Sequence, residues 1–134
     1  MAEMIKVLLV EPMKMPRMIE VEHTLESLHD LVGGYLQAVY PWDTNAALVC
    51  DDEGKFKGYP PNRALLDENG EPYDIVVGSF FICGISEDNF ASLDEEQVEM
   101  FTEMFRWPEL FYSTEEDHVM WMKLIPGVRP RRIA

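Results

Sequence analysis

The sequence contains few cysteines and no long apolar run. Only two cysteines, Cys50 and Cys83, occur in 134 residues, and both lie in apolar stretches, so we expect buried free thiols rather than a disulfide framework. The longest apolar run, IVVGSFFICGI at 75–85, is too short to cross a bilayer. The N-terminal stretch MAEMIKVLLVE has no basic region and no cleavage site, so no export signal is predicted. Together these absences predict a cytoplasmic protein with no membrane association.

Basic side chains are also scarce. The chain has 11 lysines and arginines against 25 aspartates and glutamates, which gives a formal net charge of −14. Such a chain repels the phosphates of DNA and RNA, so direct nucleic-acid binding is disfavoured. A basic partner protein, in contrast, would be attracted to an acidic surface.

Signatures of metal binding and catalysis are missing. The histidines His23 and His29 are six residues apart, not the four that place two ligands on one helical face, and His118 is remote from both. There is no phosphate-binding P-loop, no GxGxxG and no nucleophile elbow around Ser79. We therefore expect no metal, no cofactor and no enzymatic activity, although the many carboxylates leave a catalytic pair open.

The apolar patterns predict several strands. The stretch RMIEVEH at 17–23 alternates as a half-buried strand does, and it follows the apolar run IKVLLVE at 5–11, so the two are predicted to pair as a hairpin. The strongest strand is 75–85, and Gly78 within it predicts a bulge or a close approach of another group. Further extended segments are predicted at 35–42, 46–54 and 118–126.

Two helices are predicted from their end signals. Thr24 is a natural N-cap, and Gly33 ends the first helix because glycine adopts the left-handed conformation cheaply. The second helix is predicted to begin at a capping box of Ser92 and Glu95 and to continue to about Arg106.

These elements predict an α+β fold with a small antiparallel or mixed sheet and about two helices packed on one face. The connection 55–74 is rich in glycine and proline and is predicted to be mostly loop, with one short helical turn at 62–66. Residues 1–126 are expected to form a single globular domain, and 127–134 a basic C-terminal tail.

The first candidate site combines the segments LVGGYLQAVYPWD and GYPPNRAL. Gly33 explains the end of a helix, but Gly34 is left without a structural role. Two prolines fix the direction of Asn62 and Arg63, whose amide and planar guanidinium suit a phosphate-like anion. The alternative is a structural loop in which Asn62 caps a short helix and Arg63 pairs with a surface acid.

The second candidate site is an acidic stretch. Between residues 87 and 117 there are eleven acidic side chains and one basic side chain, Arg106. On a helix, Glu95, Glu99 and Glu103 would stack about 6 Å apart, since each residue rises about 1.5 Å. With Glu96, this face could mimic the phosphates of DNA and bind a cationic protein. The alternative is a solvated acidic face that keeps the protein soluble.

Three stretches together resemble the family called domain of unknown function 3846 (DUF3846). They are TLESLHDLVGGYLQAVYP, ALVCDDEGKFKGYPPNRAL and YDIVVGSFFICG, and the resemblance covers about residues 4–90. Gly33, Gly34 and Tyr35 match the glycine pair and aromatic residue of the family, and Asn62 and Arg63 match its N-R-A element. One departure is Leu36-Gln37, which replaces the common Ile-Glu.

The resemblance implies an accessory protein of phages, plasmids or conjugative elements and implies no mechanism. It also suggests that the helix end, the N-R-A loop and the strand containing Gly78 meet in one site. We therefore expect a non-enzymatic protein that counters host defence by binding a small nucleotide-like anion through Gly33, Gly34, Tyr35, Asn62 and Arg63. The alternative is an acidic DNA mimic that inhibits a cationic host protein.

The oligomeric state is left open by the sequence. The side chains of Met13, Met15, Trp107 and Trp121 could belong to a homo-oligomer interface or to the core.

Overall fold

The structure, a computed structural model, describes residues 3–134, and within them it contains eleven strands and only two short helices. The prediction of an α+β fold is therefore wrong, because the protein is mostly β. The helices are α1 (Leu25–Val32) and α2 (Glu95–Met104). The strands are β1 (Met4–Val10), β2 (Arg17–Glu22), β3 (Leu36–Val39), β4 (Ala46–Asp51), β5 (Pro61–Leu66), β6 (Pro72–Val77), β7 (Phe80–Ser86), β8 (Asn89–Ala91), β9 (Glu109–Ser113), β10 (Val119–Lys123) and β11 (Arg131–Arg132).

A six-stranded sheet, called the central sheet here, forms the middle of the molecule. Its strand order is β2-β1-β7-β4-β3, with β8 paired to β7, and all pairs are antiparallel. The hairpin predicted for the first two strands is confirmed, with Ile5 opposite Val21. Both faces of the sheet are covered, because neighbouring residues of each buried strand belong to different core clusters.

The two helices lie on opposite faces of the central sheet, not on one face as predicted. Leu28 and Val32 of α1 pack with Ile5 and Val7 in one core cluster. Phe101 of α2 belongs to the other cluster, which also contains side chains of the β5–β6 hairpin. The central sheet therefore separates α1 on one side from α2 and the hairpin on the other.

The ends of α1 are as predicted. The Thr24 side chain accepts a hydrogen bond from the backbone N–H of Ser27 at 3.2 Å. Gly33 closes the helix in the left-handed conformation, with φ of 91°, and its N–H donates to the carbonyl of His29.

The start of α2 differs from the prediction. The capping box is formed by Asp94 and Gln97, whose side chains each accept a hydrogen bond from the other's backbone N–H. Ser92 instead accepts the backbone N–H of Lys6 at 2.9 Å, and the N–H of Leu93 donates to the carbonyl of Lys6. These bonds hold residues 92–93 against β1, so the helix begins only after them.

The connection 55–74, predicted to be loop, contributes β5 and the first three residues of β6, and the rest of β6 comes from the predicted strand 75–85. The short helical turn predicted at 62–66 is therefore also wrong. Asp67 organises the turn by accepting the backbone N–H groups of Asn69 and Glu71. A third, three-stranded sheet has the order β11-β10-β9 and is called the C-terminal sheet. Part of the predicted tail 127–134 belongs to it, because β11 pairs with β10.

Within residues 3–134, neither helix is long and apolar enough to cross a membrane. Both cysteines are free thiols, with Cys83 buried and Cys50 half-buried. Burial raises the pKa of the Cys83 thiol to about 12, so this thiol is packed as an apolar group.

Candidate functional site

Asn62, predicted to contact a ligand, lies inside the protein. Its side chain is fully buried, and its amide nitrogen donates to the carbonyls of Val10 at 2.9 Å and Gly78 at 2.8 Å. Asn62 therefore joins β5 to the end of β1 and to Gly78, which lies between β6 and β7. Both donors of the amide are occupied by backbone groups.

Arg63 is also fully buried. Its Nη1 donates to the side-chain oxygen of Asn62 at 2.7 Å, and its Nη2 donates to the carbonyls of Lys14 at 2.7 Å and Phe105 at 3.0 Å. Its Nε also donates to the carbonyl of Phe105. The planar guanidinium that was predicted to bind an anion therefore donates to backbone carbonyls from two distant segments.

Glu109, one of the eleven acidic residues of the stretch 87–117, completes this buried cluster. One carboxylate oxygen accepts the backbone N–H of Ala64 at 2.9 Å and the indole N–H of Trp121 at 2.7 Å. The other lies 3.7 Å from Nε of Arg63. Burial raises the pKa of Glu109 and lowers the pKa of Arg63. We call Asn62, Arg63 and Glu109 the interior polar cluster; its contacts are those of a structural element.

Gly34, the second glycine of the pair, makes room for an ion pair. A Cβ atom at Gly34 would lie 2.6 Å from a carboxylate oxygen of Asp51 and 2.6 Å from the ammonium of Lys57. These two groups are 2.7 Å apart, and the Asp51 side chain is buried. Burial by itself would raise the pKa of Asp51, but hydrogen bonds from Lys57 and from the N–H of Glu53 outweigh it and hold that pKa below its usual value.

The end of α1, the segment before β5 and Gly78 do meet, and Tyr59 joins them. Its hydroxyl lies 3.4 Å from the carbonyl of Gly33, and a Cβ atom at Gly78 would come within 2.5 Å of its ring. The close approach predicted at Gly78 is confirmed. A shallow hollow of about 330 Å³ lies here, but neither Asn62 nor Arg63 lines it. Tyr35 is 69% exposed and lines no part of it either.

An acidic groove lies on the α2 face of the central sheet, between α2 and the strand β2. Its volume is about 770 Å³. One wall carries Glu20, and the opposite wall carries three glutamates of α2. The lining residues are Lys6, Met18, Glu20, Leu93, Glu95, Glu96, Val98 and Glu99. The acidic groove therefore has carboxylates on both walls and apolar groups between them.

The fourth glutamate predicted for this surface does not line the groove. Glu103 is exposed but forms an ion pair of 2.6 Å with Arg106. Glu20 was missed by the sequence analysis, because its contribution depends on β2 lying beside α2. Its signal was its position in the alternating strand RMIEVEH, where Met18 and Glu20 share one face.

One known family matches most of the chain. Residues 5–106 match the family described as a domain of unknown function, DUF3846, and the chain belongs to it. The match extends beyond the predicted boundary near residue 90 and includes α2, so both walls of the acidic groove lie within the family domain. The C-terminal sheet lies outside the match. No curated protein and no solved structure matches the chain.

Proposed function

We propose that this protein is a non-enzymatic binding protein whose acidic groove captures a cationic segment of a partner protein. The observation that carries the proposal is that four carboxylates, Glu20 of β2 and Glu95, Glu96 and Glu99 of α2, line one groove with a single lysine, Lys6. A side chain of Lys or Arg that entered the groove would meet a carboxylate on either side.

The whole-protein charge supports the same partner chemistry. With a formal net charge of −14, the chain attracts basic proteins over several ångströms and accelerates their association. Apolar side chains in the groove, Met18, Leu93 and Val98, would contact the aliphatic stems of Lys and Arg while the charged ends reach the carboxylates.

The expectation of a small anionic ligand has less support than the acidic alternative. The amide nitrogen of Asn62 and all three guanidinium nitrogens of Arg63 already donate to protein groups, the guanidinium in five hydrogen bonds. The ammonium of Lys57, which lies beside Gly34, is bound to Asp51. An anion at this place would have to displace one of these contacts.

We propose the acidic alternative as a groove and not as a DNA mimic. A DNA mimic that presents one row of charges would use Glu95, Glu99 and Glu103, but Arg106 neutralises Glu103. A groove can receive a segment that projects from the partner, whereas a DNA mimic itself enters a cleft of the partner. The role in countering a host defence protein, for a phage, plasmid or conjugative element, is proposed on the family resemblance alone.

The experiment measures the affinity of a fluorescent arginine-rich peptide by anisotropy at several salt concentrations. The test variant is the triple substitution Glu95→Gln, Glu96→Gln and Glu99→Gln. We expect its dissociation constant to rise about tenfold or more, which corresponds to about 1.4 kcal/mol, and the salt dependence of binding to weaken.

The matched control removes the same number of charges from the turn between β9 and β10. It is Glu115→Gln, Glu116→Gln and Asp117→Asn, three exposed positions outside the groove. Asparagine suits residue 117, whose φ is 61°. We expect this control to bind nearly as the wild type does. Equal losses in both variants would mean that only total charge matters, and the groove proposal would be abandoned.

A further inference from the structure

The outer edge of β2 offers free backbone groups beside the acidic groove. In an antiparallel pair, opposed residues alternate between exchanging both hydrogen bonds and exchanging none. The N–H of His23 donates to the carbonyl of Glu3 at 2.8 Å. This pair continues the register of β1 and β2, so Val21 and Ile19 also point their backbone groups at β1. The backbone N–H groups that point outward are those of Met18, Glu20 and Glu22.

The contacts of β1 agree with this assignment. The N–H and carbonyl of Lys6 bind Ser92 and Leu93, on the side away from β2. Lys6 and Glu20 are opposite each other, and the backbone groups of Lys6 point away from β2. The backbone groups of Glu20 therefore point away from β1. Within residues 3–134, β2 pairs with β1 alone, and no hydrogen-bond acceptor contacts the N–H of Met18, Glu20 or Glu22.

The same residues supply the free edge and one wall of the groove. Met18 and Glu20 have outward backbone groups, and their side chains line the acidic groove. The residues between them, Ile19 and Val21, are half-buried and belong to the opposite, apolar face of the sheet. A strand added at this edge would therefore meet charge on one face and apolar groups on the other.

A second copy of β2 fits this edge poorly. A two-fold axis perpendicular to the sheet keeps each face continuous, so the even-numbered residues of one copy would oppose those of the other. Glu20 would then face Glu20, Glu22 or Met18 of the second copy. Like charges directly opposite each other destabilise a strand pair. The edge therefore discriminates against self-pairing and favours a strand of opposite charge.

We propose that the partner binds as an extended segment that adds to β2 as an antiparallel strand, with Lys or Arg at alternate positions above the acidic groove. The positions between the cations are apolar, because they continue the face of Ile19 and Val21. The length of β2 sets the segment at about six residues. This inference rests on the proposed function and names the chemistry of the partner: an alternating basic and apolar strand.

The first test compares two peptides of equal composition, one alternating Lys and Val and the other with three Lys followed by three Val. Their charge and hydrophobicity are the same, and only the alternating peptide presents all its cations on one face of a strand. We expect the alternating peptide to bind about tenfold tighter. Equal affinities would overturn the inference.

The second test places backbone N-methyl groups on the alternating peptide. In antiparallel pairing, the peptide residues opposite Met18 and Glu20 are the lysines, so their N–H groups point at β2. We expect methylation of the Lys amides to reduce affinity about tenfold, and methylation of the Val amides to be tolerated. Equal effects of the two methylation patterns would exclude strand addition.

The protein-side test uses Glu20→Pro with Glu20→Gln as its control. Both remove the charge, but only proline removes the outward N–H, and an edge strand tolerates proline when that N–H faces solvent. We expect the proline variant to bind the alternating peptide about tenfold more weakly than the glutamine variant. Equal affinities of the two variants would argue against strand addition.

The two proposals fail differently. If both methylated peptides and both peptide orders bind alike while the Glu95, Glu96 and Glu99 variant still loses affinity, the groove binds cations without strand addition. If that variant also binds as the wild type does, the proposed function fails as well.

Discussion

The interior polar cluster and the acidic groove both contain charged side chains, but those of the cluster are buried and those of the groove are exposed. In the interior, Arg63 and Glu109 are almost fully removed from water, and every contact is made within the protein. In the groove, Glu95 and Glu99 keep their solvent contact and have no basic partner within 4.0 Å among the described residues. Polar groups whose hydrogen bonds are satisfied in the interior hold the fold together, whereas exposed groups of one charge are free to bind.

The largest effect is expected for Arg63→Met. Methionine fills much of the same space but leaves the Glu109 carboxylate buried without its cation and the carbonyls of Lys14 and Phe105 without donors. Breaking a buried pair in this way costs about 3–5 kcal/mol. The measurement is the free energy of unfolding in urea.

The control for this variant is Arg129→Ala, at an exposed position of the same charge. Its free energy of unfolding should stay within about 0.5 kcal/mol of the wild type. If both arginine variants lost the same stability, the contrast between interior and surface would be wrong. Any folded Arg63→Met protein should also retain groove binding, because the acidic groove contains no part of the cluster.

Gly78→Ala tests how tightly the interior polar cluster is packed. The φ of Gly78 is 72°, and its new Cβ would lie 2.5 Å from the ring of Tyr59. Its carbonyl also accepts a bond from Asn62. The left-handed strain costs about 1–2 kcal/mol, and the forced displacement of the ring adds about 1–3 kcal/mol. The midpoint of urea unfolding measures the sum.

The matched control is Gly70→Ala. Gly70 has a similar φ of 78°, but nothing lies within 4 Å of its added Cβ. It should therefore lose only the strain, about 1–2 kcal/mol. A smaller loss at residue 78 than at residue 70 would contradict the close approach of Tyr59.

A smaller effect is expected for Lys57→Met, which leaves the buried Asp51 carboxylate without its ammonium. We expect the free energy of unfolding at neutral pH to fall, because a buried carboxylate without a partner is costly. Lys55→Met is the control, since its partner Asp74 is exposed, and its cost should be at most about 1 kcal/mol.

The same pair predicts a pH dependence. Because the pKa of Asp51 is lowered in the folded protein, the ion pair stabilises the fold above the unfolded-state pKa of about 3.9. That stability is lost as the pH falls through the lower, folded value. In Lys57→Met the folded-state pKa of Asp51 rises, so protonation of Asp51 no longer removes stability, and the variant should lose less stability than the wild type between neutral and acidic pH. Thermal unfolding between neutral and acidic pH would reveal the difference, and identical acid profiles would contradict it.

The smallest effect is expected for Glu99→Gln on the groove wall. The change relieves repulsion with Glu95 and Glu103 one turn away, which is worth about 0.2–0.5 kcal/mol for each pair. Thermal unfolding should therefore show unchanged or slightly higher stability while peptide affinity falls. A loss above about 1 kcal/mol would mean that this glutamate supports the fold after all.

Local signals made some of the fold predictable. Thr24 and Gly33 mark the two ends of α1, and both act through groups within a few residues. The β5–β6 hairpin was missed although Asn69-Gly70 is a turn signal. Prolines in this connection argued against strands, but Pro61 and Pro72 are the first residues of their strands, where a missing N–H is tolerated.

The sites were less predictable because their partners are remote in sequence. Arg63 binds carbonyls that lie 49 and 42 residues away, and a backbone carbonyl has no signature in a sequence. Glu95, Glu96 and Glu99 were identified as a candidate surface from their spacing on one helix. Glu20 was missed, since only the packing of the central sheet brings it to the same groove.

The remote partners of the interior polar cluster also bear on the order of folding. Arg63 can give up its water only after residues near 14, 105 and 109 have converged on β5, because a guanidinium stripped of water without acceptors is costly. We therefore expect the cluster to form after the main folding barrier, so that its removal accelerates unfolding rather than slowing folding. On this expectation the cluster governs how long a folded molecule stays folded, whereas the local hairpins and α1 govern how fast the chain folds.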